Sequence, residues 1–142
     1  MTNVSARDEV TPVHAEPVEA RTNRRAVGRI GEDLAVRLLK QQGYRILQRN
    51  VRCRFGEIDV VAKEGRTLCF VEIKARRSTQ MGWPEEGVNA RKQWQLTRLA
   101  SWYLKFHRLG EVPVRFDVVS ILLGPGDAPE RTRLIKGAFD AA

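Results

Sequence analysis

GEIDVVAKEGRTLCFVEIKAR, running from Gly56 to Arg76, holds two apolar runs, IDVVA and LCFVEIKA, around the turn-forming KEGR. Runs of this length and composition predict the two strands of a hairpin. Both carry charge where burial is most expensive, with Asp59 in the first run and Glu72 and Lys74 in the second. Alternation along a strand places Phe70, Glu72 and Lys74 on one face, and Cys69, Val71 and Ile73 on the other. Glu57, Asp59 and Val61 likewise share a face. If Glu64-Gly65 is a two-residue loop, Lys63 opposes Arg66 and Asp59 opposes Phe70. Glu72 then becomes the diagonal neighbour of Asp59 on the same face. An odd-length loop would separate the two acids unless a bulge restored the register. The simplest hairpin therefore gathers Asp59, Glu72 and Lys74 into one patch.

Outward from the hairpin, the spacing of Ala26/Val27, Ile30, Leu34/Ala35 and Leu38/Leu39 predicts a helix from Arg24 to Gln42, stopped by Gly43. YRILQRNV (44–51) reads as a strand. RSTQMGWP (77–84) reads as a loop, followed by a helix from Glu85 to His107 with Val88, Lys92, Leu96, Leu99, Tyr103 and Phe106 as its inward stripe. PVRFDVVSILL (113–123) is a fourth strand, GPGDAPE a break, and RTRLIKGAF either an edge strand or a tail. The class is α/β, in the order α-β-β-β-α-β. Residues 1–23 mix Pro, Thr, Glu and Ala without periodicity and read as a disordered leader. Residues 24–136 form a single domain, and 137–142 read as a flexible tail.

The chain has 142 residues and a net charge of +8 with 30% charged residues. Residues 1–25 carry four Lys/Arg and four Asp/Glu, so the whole excess belongs to the body. A compact basic body attracts polyanions, nucleic acid foremost. No charged n-region precedes an apolar h-region, and no apolar run spans a bilayer, so a cytoplasmic protein without a membrane partner is expected. Two cysteines without a CxxC argue against zinc or a disulfide framework. The two histidines, His14 and His107, fall in the leader and at a helix end, which leaves no histidine-based nuclease in view. No GxxxxGK[ST] is present for P-loop hydrolysis.

Two neighbouring carboxylates repel and resist ionising together. A divalent cation between them relieves this, and oxygen-only ligands suit Mg²⁺ or Mn²⁺. Lys74 would then orient or deprotonate a water, or neutralise charge on a phosphorane-like transition state. The same residues also suit an ion-pair ladder on a solvated sheet face, or a protein-interaction surface.

The pattern D…ExK over Asp59, Glu72 and Lys74 resembles the PD-(D/E)xK nuclease signature, with Ile58 in place of its proline. GEDLAVRLLKQQGYRIL, NVRCRFGEIDVVA, FVEIKARR, GWPEEGVNARKQWQLTRLASWYL and RFDVVSI together resemble the YraN family of endonuclease-like proteins, over residues 26–123. The resemblance implies a restriction-endonuclease-like core, a mixed sheet flanked by helices, similar to archaeal Holliday-junction resolvases. It implies a metal-dependent endonuclease acting on DNA, including branched DNA, or a non-catalytic nucleic-acid-binding protein that keeps the fold. Catalytic roles would fall on Asp59, Glu72, Lys74 and Glu32. The Mg²⁺ or Mn²⁺ ligands would be Asp59, Glu72, Glu32 and Ile73. Glu57 is a further ligand or a strand-end acid. A homodimer is implied only by analogy with enzymes that cut two strands.

Basic residues beside the acids are the candidates for phosphate contact. Arg76 and Arg77 follow ExK directly, Arg54 belongs to the arginine-rich strand entry, and Lys92 lies on the otherwise apolar stripe. Arg91, Arg98 and Lys105 recur every seven residues on the second helix, with Trp94 and Trp102 nearby.

Overall fold

The computed structural model describes residues 18–141, with side chains described from residue 24 onward. The expected leader therefore lies outside the described residues up to position 17. The first helix, α1 (Val18–Gln41), starts six residues before the periodicity predicts. Gly43 at φ +93° ends it. Then follow β1 (Arg45–Cys53), β2 (Gly56–Glu64), β3 (Thr67–Arg76), a 3₁₀ turn at Pro84–Gly87, α2 (Ala90–Phe106), β4 (Val114–Leu123) and β5 (Pro129–Phe139).

The five strands lie in sequence order in one sheet. β1, β2 and β3 run antiparallel, β4 lies parallel to β3, and β5 is antiparallel to β4. A parallel step needs a crossover, and α2 supplies it. This is an α/β fold of restriction-endonuclease-like type. α1 packs on one face, where Val27, Ala35 and Leu39 meet Val60, Val71 and Val119. α2 packs on the other, where Leu96, Leu99 and Tyr103 meet Ile58, Phe70 and Phe116.

Three expectations are corrected. The hairpin loop is Gly65-Arg66, closed by Glu64 opposite Thr67. Gly65 takes the left-handed φ of +60° that a tight loop needs at its first position, so the loop centres one residue later than expected. The partner slips by two residues, which keeps the faces of the paired residues 60–64, and Val60 now opposes Val71 as the last pair of the ladder; between Ile58 and Val61 the expected alternation breaks. One more rung would set Asp59 against Glu72 directly rather than diagonally. Second, the helix expected from Glu85 begins only at Ala90, where Asn89 caps it by accepting the N–H of Lys92 at 3.0 Å. Its far end also differs, since Phe106 is 66% exposed rather than inward. Third, β5 reaches Phe139 inside the expected tail, because Gly137 N–H donates to Asp117 and Phe139 stacks on Phe116.

Candidate active site

β2 parts from β3 at Asp59, and the site opens there. Asp59 Oδ2 accepts the N–H of Ile73 at 2.8 Å, so a side chain makes the contact that backbone would make in a continued ladder. Burial also skips here: Ile58 and Val61 pack on the α2 side, whereas Val60 and Ala62 pack on the α1 side. The opposing strand shows a matching irregularity. Asn50 lies between Arg49 and Val51, whose partners are Val60 and Ile58, and it takes a left-handed φ of +54°.

Glu72 is buried on the α2 side at 4% exposure. Its Oε2 lies 3.3 Å from Lys92 Nζ and 3.6 Å from Lys74 Nζ. Its Oε1 is buried without any hydrogen-bond partner. An unmet buried acceptor is costly, and for an ionised carboxylate more so. Asp59 keeps some exposed surface, yet its carboxyl is held well above the usual carboxylate range. Burial is the largest cause, the charge of Glu72 comes next, and the Ile73 N–H only partly offsets them. Glu72 thus opposes the ionisation of Asp59.

Glu32 adds a weaker repulsion on Asp59. α1 reaches the site because Gly31 lies against β3, where an added Cβ would stand 2.5 Å from Ala75 Cβ. The Glu32 carboxylate is occupied, taking Asn50 Nδ2 at 3.3 Å, with Arg49 at 3.6 Å. Among the described residues no three His, Cys, Asp or Glu side chains converge to hold an ion. Glu32 therefore neighbours the pair without closing a three-carboxylate cluster. Glu57 pairs outward with Arg52 at 3.5 Å. The donor set still fits a hard divalent cation, since it is oxygen-only and a buried carboxylate oxygen is left open beside a second acid.

A cleft of about 790 Å³ adjoins the site, lined by Arg24, Ile73, Lys74, Arg76, Arg77 and Met81 among others. Two of its cations, Arg76 and Arg77, hold the segments around it. Arg76 Nη1 donates to the carbonyls of Met81 at 2.8 Å and Gly82 at 3.3 Å, bracing the loop after β3. Arg77 forks onto Asp127 at 2.8 and 2.9 Å. Lys92 turns inward to Glu72, whereas Arg54, Arg91 and Arg98 are exposed.

Two contributors were not foreseen from the sequence. Asn50 is one, and an asparagine inside a strand was its only signal. Glu85 is the other. It receives Ser120 Oγ and is paired with Arg131 at 3.0 Å and Arg133 at 3.2 Å, which pins the 3₁₀ turn to β4 and β5. Gly87 of that turn lies against the Lys74 stem, where an added Cβ would be 3.6 Å from Cε.

Residues 31–121 match the family described as Uncharacterised protein family UPF0102. The chain belongs to UPF0102. A UPF0102 protein of Symbiobacterium thermophilum is 52% identical over 119 residues, covering 82% of this chain and 98% of its own length. One from Lachnoclostridium phytofermentans is 48% identical over 120 residues, covering 84% and 97%. One from Syntrophus aciditrophicus is 45% identical over 115 residues, covering 81% and 89%. UPF0102 is the family named YraN above, so the resemblance holds at the level of the family. The UPF0102 span takes in Glu32, Asp59, Glu72, Lys74 and Lys92, and stops short of β5. Neither the family description nor these relatives' names state an activity.

Proposed function

We propose that the chain is a divalent-metal-dependent endonuclease of the PD-(D/E)xK class, hydrolysing phosphodiester bonds of DNA. One observation carries this reading: Glu72 Oε1 is buried and unpartnered beside Asp59, while two lysines hold the other oxygen. Asp59, Glu72 and the main chain of Ile73 would hold Mg²⁺ or Mn²⁺. Such an ion supplies Lewis-acid polarisation of a phosphoryl oxygen and a nucleophilic water at neutral pH. Ile73 N–H fixes the Asp59 rotamer. Lys74, at the wall of the adjoining cleft, places its ammonium where negative charge develops on the phosphate or orients the attacking water. Lys92 offsets the Glu72 charge from the α2 side and holds that carboxylate in place.

The test is cleavage of a panel of linear, nicked, branched and single-stranded DNA with Mn²⁺, using Asp59→Ala and Glu72→Ala beside the parent. The reading expects cutting by the parent alone, with DNA binding kept by both variants. Cutting by all three proteins would sink it. A second reading, a nucleic-acid-binding protein without catalysis, draws on the absence of a third converging carboxylate among the described residues. DNA retained by a parent that cleaves no substrate in the panel would favour it.

A further inference from the structure

α2 has an outward face that the hydrolytic site does not use. Its 17 residues, ARKQWQLTRLASWYLKF, contain Arg91, Lys92, Arg98 and Lys105 and no acid at all. A solvated helix ordinarily intersperses both signs, with acids three or four residues from the bases. Apart from Lys92, which turns to Glu72, these cations lie on the exposed side with Trp94, 54% exposed, and Phe106, 66% exposed. Residues 91, 94, 98, 101/102 and 105 follow helical spacing, so they form one stripe.

The stripe borders a groove of about 490 Å³ lined by Arg54, Phe55, Arg98, Trp102, Lys105 and Phe106 among others. The Arg54 and Arg98 guanidinium groups lie 4.9 and 5.0 Å from the Phe55 ring centre, and Arg98 is also 5.1 Å from that of Trp94. Trp102 and Phe106 stack at 5.1 Å with an interplanar angle of 23°. Phe55 is held at this place because Gln95 Nε2 donates to its carbonyl at 2.9 Å.

We propose that this stripe and groove bind a single-stranded segment of nucleic acid, with bases stacking on Trp94, Trp102 and Phe106 and phosphates meeting Arg54, Arg91, Arg98 and Lys105. The inference deepens the reading above and rests on its choice of nucleic acid as partner. Flat aromatic faces between cations that no acid among the described residues is shown to pair match alternating bases and phosphates, and bases become available to them only when unpaired. A second copy of the chain is disfavoured by charge, because a two-fold contact through this face would set the same cations against each other. The stripe starts at Arg91, next to Lys92, which contacts Glu72. A strand laid along it would therefore leave the acids at one end of the helix and reach Lys105 about 20 Å away.

The test is fluorescence anisotropy with a dye-labelled oligothymidylate and a duplex of equal length, in EDTA, so that cleavage plays no part. Trp94→Ala and Phe106→Ala should each weaken the single strand about tenfold and leave the duplex within about twofold. Arg98→Gln should weaken both and flatten the salt dependence. Thermal melts of the three variants, at exposed positions, should match the parent and so exclude misfolding. For the two aromatic variants, equal loss on both oligonucleotides, or none on either, overturns the proposal. So does sedimentation of the parent as a dimer that Phe106→Ala dissociates. Because no metal is present, a parent that binds but never cuts under Mn²⁺ would count against the hydrolytic reading alone.

Discussion

Asp117 on β4 and Glu72 on β3 are both buried, at 1% and 4% exposure, and stand on adjacent parallel strands, where Val71 pairs with Asp117 and Glu72 with Val118. Around Asp117 every direction is answered. Arg115 donates to it from Nε at 2.8 Å and from Nη2 at 2.9 Å, Tyr44 hydroxyl at 2.7 Å and Gly137 N–H at 2.9 Å. Burial works against ionisation there, but the guanidinium, the N–H and the hydroxyl outweigh it and hold the carboxyl below its ordinary range. Around Glu72 one oxygen has two lysines and the other has no donor from elsewhere in the fold, only the Asp59 carboxyl, which is pushed up beside it. The same sheet that satisfies one buried acid leaves the next one open. Local strain of that kind marks places kept for a ligand, whereas the Asp117 network is what a purely structural buried acid looks like.

The two sites should therefore break differently. On the proposed hydrolytic reading the largest expected effect is catalytic: Glu72→Gln or Asp59→Asn would remove an oxygen ligand with little change of shape, and cleavage should fall on the order of a thousandfold. Next, Asp117→Ala strands Arg115 and Tyr44 and should cost about 3–5 kcal/mol in chemical denaturation. Glu72→Gln should cost less, under about 1 kcal/mol in the same assay, because the repulsion with Asp59 that is removed offsets the lost pairing with the part-exposed Lys74 and Lys92. If Glu72→Gln proved as damaging as Asp117→Ala, the contrast would disappear. Smaller again is Gly31→Ala. Its Cβ would meet Ala75 at 2.5 Å, and lifting α1 from β3 should cost about 1–3 kcal/mol by thermal melting.

The pH responses should have opposite signs. Asp59 has a raised pKa, so its contribution to stability is fully present at low pH and is lost as pH rises through that value. Asp59→Asn should therefore melt higher than the parent, by a margin that widens from about pH 4 to about pH 8 and levels off above it. Glu85 runs the other way. Arg131 above all, helped by Ser120 and against some desolvation, lowers it from 4.5 to about 2. Its stabilisation is present above pH 4.5 and lost as pH falls towards 2. Glu85→Gln should flatten the melting profile across that acid window, and an unchanged slope would remove Glu85 from the account.

Much of this was legible because period-two alternation is a strong local signal. It gave the hairpin and the faces of its paired residues, whereas the break in alternation between Ile58 and Val61 had no mark in the sequence. Lys92 drew notice as the lone cation on an apolar stripe, and it does reach Glu72. What escaped was set by backbone conformation or by distance along the chain. The left-handed φ of Gly65 moved the loop by one residue, and nothing in KEGR distinguishes the two placements. Asn50 acquires its role from a bend that only the paired strands reveal. Asp117 finds Tyr44 across 73 positions of sequence, with no local mark on either residue. β5 reads as either an edge strand or a tail because of its many polar residues, although its backbone is bound to β4.

The central claim is that Asp59 and Glu72 are kept open for a divalent cation. It is tested most directly by the thermal shift of the purified chain with and without Mn²⁺ at pH 8, for the parent, Asp59→Asn and Glu72→Gln. The account predicts a higher melting temperature with Mn²⁺ for the parent and none for either variant. Equal shifts in all three proteins, or none in the parent, would contradict it.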